Sequence, residues 1–259
     1  MKTTKRFFLS IAIIVLSIPT FNSCKKGDGD PFISLRSRKA RVAGEWTVDS
    51  WNKQTTFSGS DIYDGETYTS NGNSKTQING SSITISESGT ESGPTSSDSY
   101  STNATGYITA EITFKKDGSF TRTYDYKNMT STYTTGGNST TTTYNQTIKE
   151  TGTWNFLGGV EDEFKNKERI ILNIIEVNST YNYTDTDGYT GDGYDTESFA
   201  NGESTEVWQL TTLRHKEMEL EAEIGNSTSY NSTDKWGGNV YTNTGSSSEN
   251  GIIEGTLKQ

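Results

Sequence analysis

Hydroxyl-bearing side chains dominate this chain, since 42 Thr and 31 Ser together supply 73 of its 259 residues. Such a composition cannot build a mostly helical protein, because Ser and Thr hydroxyls compete for backbone hydrogen bonds inside helices. Thr and the 14 Tyr favour the pleated surface of a β-sheet, whereas the 26 Gly favour turns. Only 3 Pro interrupt strand pairing. The composition therefore predicts an extended, all-β protein.

The single Cys, the single His and the acidic charge exclude several classes of function. They rule out an intramolecular disulfide, a thiol–imidazole pair and a zinc site with several Cys or His ligands. A net charge of −10 disfavours nucleic acid and anionic membrane surfaces as partners. His215 lies between Arg214 and Lys216 in a predicted turn, and no Ser or Cys stands in a recognisable triad context. We therefore predict no enzymatic activity, no cofactor and no metal.

The N-terminus carries a predicted signal peptide. Lys2, Lys5 and Arg6 precede an apolar run of twelve residues, from Phe7 to Ile18. At about 1.5 Å per residue, a helix of this length spans about 18 Å, which is too short for a hydrocarbon layer about 30 Å thick. The run is therefore predicted to be a removable signal and not a transmembrane helix.

The only cysteine follows this run, in the sequence Phe21-Asn22-Ser23-Cys24. The segment resembles the lipobox of bacterial lipoproteins, in which a small residue precedes a Cys that is acylated and becomes the first residue. The resemblance implies a lipid anchor on Cys24 and removal of residues 1–23. Lys25 is not the Asp that would suggest inner-membrane retention in such lipoproteins, so we expect the outer membrane, on its periplasmic or cell-surface face. The alternative is an ordinary signal peptide followed by a stray Cys.

Residues 24–41 are predicted to be a tether that ends in a basic segment. Residues 25–31 contain no apolar side chain that could dock, and residues 36–41 hold four basic side chains in six positions. This segment could form a short helix, either as a patch facing anionic lipid or as a solvated face beside the barrel. The rest of the chain, residues 42–259, is assigned to one β domain.

Alternation of apolar and polar residues predicts the strands, and the clearest hairpin runs from Tyr107 to Tyr126. We predict a three-residue loop at Lys116-Asp117-Gly118, with Gly118 in the left-handed conformation. The expected pairs are Phe114 with Phe120, Ile112 with Arg122, Ala110 with Tyr124, and Ile108 with Tyr126. This register gives the hairpin one largely apolar face and one polar face.

Eight to ten consecutive strands without intervening helices predict an up-and-down antiparallel β-barrel or a strongly curled meander. Glu217–Ile224 shows the pattern most clearly, with four glutamates on one face and four apolar residues on the other. The outward positions are Thr, Glu and Asp. We therefore expect the body neither to span a membrane by a helix nor to form a transmembrane barrel, which needs an apolar band about 25 Å tall.

Long polar stretches separate the core strands, at residues 58–106, 127–146, 178–202 and 225–250. They are interpreted either as disordered inserts or as long hairpins, and the Gly-Gly-Asn steps favour a hairpin for residues 127–146. Ser86–Ala104 has almost no apolar residue and is predicted to be a loop. Asp185–Asp195 offers four carboxylates without the spacing of an EF-hand, so it is interpreted as a hairpin tip and not a calcium site.

Four short sequences occur in a characteristic order. They are Gly44-Glu45-Trp46, the Phe114–Phe120 hairpin, Gly152-Thr153-Trp154, and Trp208–Leu213 followed by Met218-Glu219-Leu220. Together they resemble the lipocalin-like lipoproteins of Gram-negative bacteria, over residues 42–258. The resemblance implies a barrel with Trp46 packed across its closed end. The second lipocalin signature, Thr-Asp-x-x-Tyr, is not matched, because Tyr189 stands one residue too late after Thr184-Asp185. The resemblance therefore implies a looser, calycin-like barrel.

Six aromatic residues are candidates either for plain core packing or for a ligand pocket. They are Trp46, Phe114, Phe120, Tyr124, Trp154 and Trp208. The first functional hypothesis is a barrel that binds a small apolar or amphipathic ligand without catalysis. The second is a structural or adhesive surface protein whose Tyr-, Thr- and Asn-rich hairpins contact proteins or glycans. An empty aromatic cavity would favour the first hypothesis, and a filled interior the second.

Overall fold

The computed structural model describes residues 38–63, 66–157, 168–214, 216–236 and 239–259. Cys24, His215 and the predicted signal and tether up to residue 37 lie outside these described residues. Within them, one short helix, α1 (Arg38–Val42), precedes eleven strands. The strands are β1 (Gly44–Tyr63), β2 (Glu66–Asn79), β3 (Ser82–Ser92), β4 (Ser97–Phe114), β5 (Ser119–Thr135), β6 (Asn138–Leu157), β7 (Glu168–Asp185), β8 (Thr190–Ser198), β9 (Ser204–Leu213), β10 (Glu217–Trp236) and β11 (Asn239–Lys258). All their pairings are antiparallel, which confirms the predicted fold class.

The strands close into a ring at one end of the molecule, here called the closed end. There β1 pairs directly with β4, from Gly44 opposite Phe114 to Thr47 opposite Glu111. On the other side β6 pairs with β7, and β7 pairs with β9. The closed end is therefore an eight-stranded barrel in the order β1-β4-β5-β6-β7-β9-β10-β11. Eight strands enclose a space just wide enough to be filled by side chains.

Beyond the closed end the strands continue as long hairpins, and this region is called the extension. The β2–β3 hairpin is inserted between β1 and β4, because β1 leaves β4 after Thr47 and pairs with β2 from Ser50 onward. In a similar way, β7 pairs with β9 up to Ile174 and with β8 from Glu176 onward. Residues 127–146 lie at the far end of the β5–β6 hairpin, which confirms the hairpin interpretation of that polar stretch.

The prediction of a loop over Ser86–Ala104 is wrong. This segment lies in β3 and β4, whose pairing continues from Ser82 opposite Tyr107 to Ser92 opposite Ser97. Its outward positions hold Ser, Thr or Asn, and its inward positions are mostly Glu, Gly or Asp, so no apolar alternation marks the strands. Pairing of both backbone edges with β2 and β5 forms them nonetheless. Strands β2, β3 and β8, all in polar stretches, bring the number to eleven.

The β4–β5 hairpin has the predicted register, from Phe114 opposite Phe120 to Ile108 opposite Tyr126. Gly118 has φ +94°, and its N–H donates to the carbonyl oxygen of Lys115 at 3.1 Å. This geometry is the expected three-residue loop. The left-handed conformation at position 118 explains why glycine stands there.

A short helix and an apolar core seal the closed end. The largest fully buried side chains of the core are Trp46, Trp208, Phe114 and Phe120. Helix α1 covers them, because Val42 is fully buried and its carbonyl accepts a hydrogen bond from the Trp46 indole at 2.8 Å. Arg41 donates from Nη1 to the carbonyl oxygen of Leu213 at 2.6 Å. Part of the basic segment therefore docks on the barrel.

Glycines stand directly opposite aromatic residues at six places in the described sheet. The pairs are Gly255 with Trp51, Gly72 with Phe57, Gly89 with Tyr100, Gly152 with Phe120, Gly193 with Tyr181, and Gly191 with Tyr183. In each pair, a Cβ added to the glycine would lie under 3.0 Å from the ring. Each ring therefore lies over the neighbouring strand, which lets the sheet curve tightly at that point.

We expect Gly152→Ala to destabilise the protein by about 1–3 kcal/mol, because the new Cβ would overlap the carbonyl oxygen of Asn173 and the ring of Phe120. Gly225→Ala is the matched control, since its nearest neighbour, Asn250 Oδ1, is 3.9 Å away. That change should be neutral or slightly stabilising. Urea unfolding followed by Trp fluorescence measures both variants, and equal stabilities would contradict the close packing at Gly152.

Candidate functional site

Five of the six candidate aromatic residues form one cluster at the closed end. The members of this aromatic cluster, Trp46, Phe114, Phe120, Trp154 and Trp208, are each at most 3% exposed. The ring of Phe114 lies 5.4 Å from that of Trp154 and 6.3 Å from those of Phe120 and Trp208. A cavity wide enough for water would leave accessible surface on the rings around it. The aromatic cluster therefore fills the interior at the closed end.

Next to the aromatic cluster lies a charged network, formed by the buried Arg122 of β5 and the partly exposed Glu150 of β6 and Glu206 of β9. Arg122 is 3% exposed and donates from Nη1 and Nη2 to the two carboxylate oxygens of Glu206, at 2.7 and 2.6 Å. Its Nε donates to Glu150, and the Trp208 indole donates to Glu206 at 3.1 Å. Strands β5 and β9 are three steps apart in the eight-stranded ring, so the network crosses the barrel.

Opposing effects act on the charges of this network. Burial tends to lower the pKa of Arg122, but the carboxylate of Glu206 and that of Glu150 hold the pKa well above its usual value. Burial tends to raise the pKa of Glu206, but the Arg122 charge and the hydrogen bonds from Arg122 and Trp208 hold it below its usual value. Both groups are therefore charged at neutral pH. The guanidinium also lies 5.5 Å from the ring centre of Tyr124, the sixth candidate, which is half-buried.

Tyrosines line the face of the extension that continues from the core, here called the inner face. Alternation along the strands places several there, and they include Tyr68, Tyr100, Tyr124, Tyr126, Tyr133, Tyr144, Tyr181 and Tyr183. The Tyr100 hydroxyl donates to Glu87 at 3.2 Å, and burial together with the Glu87 charge raises the pKa of Tyr100 to about 12. Burial also raises the pKa of Tyr126 to about 12. These two phenols are therefore neutral hydrogen-bonding groups.

Two cavities lie in the extension. The first, of about 490 Å³, is lined mainly by inner-face residues such as Thr55, Phe57, Glu87 and Glu249. The second, of about 730 Å³, is lined mainly by outward amide and hydroxyl side chains of β11, β1, β2, β3 and β4. Both volumes fall in the range of small-molecule sites. The lining of these two cavities includes no member of the aromatic cluster.

The acidic stretch Asp185–Asp195 forms the turn between β7 and β8, together with most of β8. One carboxylate oxygen of Asp185 accepts hydrogen bonds from the N–H groups of Asp187 and Tyr189, at 3.0 and 2.9 Å. Gly188 has φ +83°. This carboxylate therefore stabilises the turn, as expected of a hairpin tip. Across the part of the chain that the structure describes, no group of three or more His, Cys, Asp or Glu side chains could hold a metal ion.

The charged network and the two cavities are not apparent from the sequence. The sequence contains one signal of the charged network. The predicted register puts Arg122 opposite Ile112 on the apolar face of the hairpin, where a charged side chain requires a buried partner. Glu206 is too distant in sequence for the pattern of one hairpin to identify it. The larger cavity draws on residues from Gln54 to Ile252, and no local motif marks it.

No family model matches this chain, and no curated protein matches it. Among solved structures, the translocator domain of the autotransporter NalP from Neisseria meningitidis is similar to it with a TM-score of 0.30 and 10% sequence identity. The alignment covers 82% of this chain and 88% of that chain. This likeness carries no functional inference. Within the described ranges, no helix combines the length and the apolar character needed to cross a membrane.

We expect Glu206→Gln to cost about 2 kcal/mol at pH 7, because Arg122 loses its bidentate partner while Glu150 still neutralises part of its charge. The folded-state pKa of Glu206 is lowered, so the stability that its ionisation supplies is present at neutral pH and is lost as pH falls through that pKa. The difference between wild type and variant should therefore shrink as the pH falls toward that lowered pKa. Urea unfolding at pH 7 and pH 3 measures it, and a constant difference would contradict the charged network.

Proposed function

We propose that this protein is a lipid-anchored component of the outer membrane that acts without catalysis as a structural or adhesive surface protein. In this proposal the extension contacts proteins or glycans, and the closed end is the stable base from which the extension projects. The observation that carries the proposal is the contrast between a filled aromatic interior and a polar extension that holds both cavities.

A small apolar ligand inside the barrel is the other function that the sequence suggests. Such a ligand needs space among the rings of the aromatic cluster, each of which is at most 3% exposed. The charged network crosses the barrel directly beside these rings. Binding there would have to displace buried rings or separate paired charges, which costs several kcal/mol. The extension is therefore favoured as the contact surface.

The residue types of the extension suit recognition of other molecules. Tyr offers a large, rigid and amphipathic contact area at a small cost in conformational entropy, and Ser, Gly and Asn offer adaptable hydrogen bonding, as in antibody paratopes. Tyr189 and Tyr194, in the turn before β8 and in β8 itself, are 71% and 83% exposed. Tyr133, on the inner face of β5, is 40% exposed. These side chains support the proposal of an adhesive surface.

The lipid anchor accounts for membrane attachment in this proposal. Two or three acyl chains on Cys24 would bury many methylenes at about 0.8 kcal/mol each and hold the protein permanently on a membrane. The outward side chains of the closed end include exposed carboxylates, among them Glu45, Glu111 and Glu221. A barrel that spans the membrane would instead need an apolar band at these positions. The polar outer surface therefore supports attachment by a lipid.

We expect Cys24→Ser to release the whole population of the protein from the membrane fraction, because no other anchor is proposed. The β-rich circular dichroism spectrum should be unchanged, since residue 24 precedes all eleven described strands in the sequence. Cell fractionation with a high-salt wash measures the distribution. A Cys24→Ser protein that stays in the washed membrane pellet would contradict both the lipid anchor and the proposed membrane topology.

We expect attachment to external surfaces to depend on the extension. Residues 88–101 and 127–145 can each be replaced by an Asn-Gly turn, because Glu87 pairs with Thr102 and Tyr126 pairs with Gln146. Cells carrying the doubly shortened protein should lose attachment to mucin- and gelatin-coated surfaces, whereas Trp fluorescence should still report a folded aromatic cluster. The two single replacements are made as well, in case the double variant fails to fold. Full attachment by every folded variant would overturn the proposal.

A further inference from the structure

The outward side chains of five neighbouring strands form a regular lattice, here called the outer wall. The wall consists of β11, β1, β2, β3 and β4, and their register aligns 25 outward residues in five rows. Each row contains one residue from β11, β1, β2, β3 and β4, in that order. Starting with the row farthest from the closed end, the rows are Ser246/Ser60/Thr69/Ser92/Ser97, Ser248/Ser58/Asn71/Thr90/Ser99, Asn250/Thr56/Asn73/Ser88/Ser101, Ile252/Gln54/Lys75/Ser86/Asn103 and Glu254/Asn52/Gln77/Thr84/Thr105. Apart from Ile252, Lys75 and Glu254, all 22 other positions hold Ser, Thr, Asn or Gln.

The outer wall is neutral although the chain is strongly acidic. One Lys and one Glu among 25 positions give the wall no net charge, whereas the whole chain has 33 acidic and 23 basic residues. Twenty of the 25 side chains are exposed. Neighbouring strands lie about 4.8 Å apart and successive outward residues about 7 Å apart. The wall therefore presents a regular array of hydrogen-bonding groups to its surroundings.

The larger cavity, of about 730 Å³, lies on this wall. All ten side chains of the third and fourth rows line it, and they comprise four carboxamides, four hydroxyls, one ammonium and one apolar group. The carboxamides belong to Gln54, Asn73, Asn103 and Asn250. Carboxamides and hydroxyls each donate and accept hydrogen bonds. The cavity therefore offers both kinds of partner at closely spaced positions.

This chemistry selects one class of ligand. Nucleic acid or an acidic lipid would need several cations, and the wall has Lys75 alone. A tight protein interface relies on aromatic or Arg anchors, and the residues that line the cavity include neither. An apolar ligand would bury the carboxamides without hydrogen bonds. A sugar chain carries hydroxyl groups that donate and accept along its whole length, and a neutral one matches a neutral lattice.

We propose that the outer wall is a binding platform for a neutral glycan, with the cavity of its third and fourth rows as the main contact. This inference rests on the proposed function, because it names the partner and the surface through which the extension would act. Asn73 and Asn103 are exposed and lie on strands two steps apart in the sheet. They are the residues whose carboxamides we expect to pair with sugar hydroxyls.

Affinity electrophoresis of the full-length lipoprotein in detergent tests the inference, with dextran, mannan, xylan or glycogen in the gel and alginate as the anionic counterpart. We expect at least one neutral polysaccharide to retard the wild type. The double variant Asn73→Ala with Asn103→Ala should bind that polysaccharide at least tenfold more weakly. Its matched control is Asn145→Ala with Asn182→Ala, an exposed pair on the opposite side of the extension, and it should bind like wild type. Circular dichroism confirms that each variant is folded.

Three results would overturn the inference. The first is that no neutral polysaccharide retards the wild type. The second is that the two double variants lose polysaccharide binding equally. The third is that Lys75→Ala loses binding while alginate retards the wild type, which would indicate an anionic ligand.

The attachment assay separates this inference from the proposed function. If the shortened hairpins abolish attachment while the Asn73 and Asn103 variant binds polysaccharide normally, the glycan platform fails and the adhesive role stands. If the shortened hairpins change nothing, the adhesive role itself fails.

Discussion

The structure depends on how eight strands close around a small number of large side chains. The pairing of β1 with β4 completes the ring, and the aromatic cluster occupies the space that the ring encloses. Arg122 and Glu206 then join opposite sides of the barrel through a pair of hydrogen bonds. Because a buried charge requires its partner, this contact fixes the distance between β5 and β9. Among the described residues, most of the buried apolar side chains lie at this end, and the extension projects from it.

The sequence predicts the closed end well, because apolar alternation there is strong. The β4–β5 register follows from placing Phe114 opposite Phe120, and a one-residue slip would have turned these rings to the solvent. The same rule fails for Ser86–Ala104, where the outward positions are Ser, Thr or Asn and the inward positions are mostly Glu, Gly or Asp, so no apolar alternation marks the inner face. Of the charged network, only Arg122 could be identified from the sequence, because it stands on an apolar face. Its partner Glu206 belongs to a strand that is distant in the sequence. Burial patterns are local, whereas contacts across a barrel are not.

Strands that are polar on both faces need another source of register, because slippage by one residue exposes no apolar surface. In the extension, glycines opposite aromatic rings supply part of it, as at Gly72, Gly89, Gly191 and Gly193. A shift of one residue would place a side chain where the Tyr100 ring now covers Gly89. Bulges supply more, as at Asn128, which has φ +51° where β5 shifts register against β6 between Tyr126 and Met129. Shape complementarity between strands thus replaces the hydrophobic pattern.

This way of fixing register also determines what the outer surface of the extension is free to do. Where apolar burial sets the register, alternate residues are committed to the core and only one face can vary. In the β1–β4 part of the extension, the glycine–aromatic pairs lie on the inner face, as Phe57 with Gly72 and Tyr100 with Gly89 show. The outward residues of the same strands form hydrogen bonds between strands, such as Ser58 with Ser248 and Ser92 with Ser97, but they include no glycine–aromatic pair. We infer that their nearly uniform Ser, Thr, Asn and Gln composition reflects a requirement placed on the outer surface, and the requirement that we propose is recognition of a neutral hydroxyl-bearing partner.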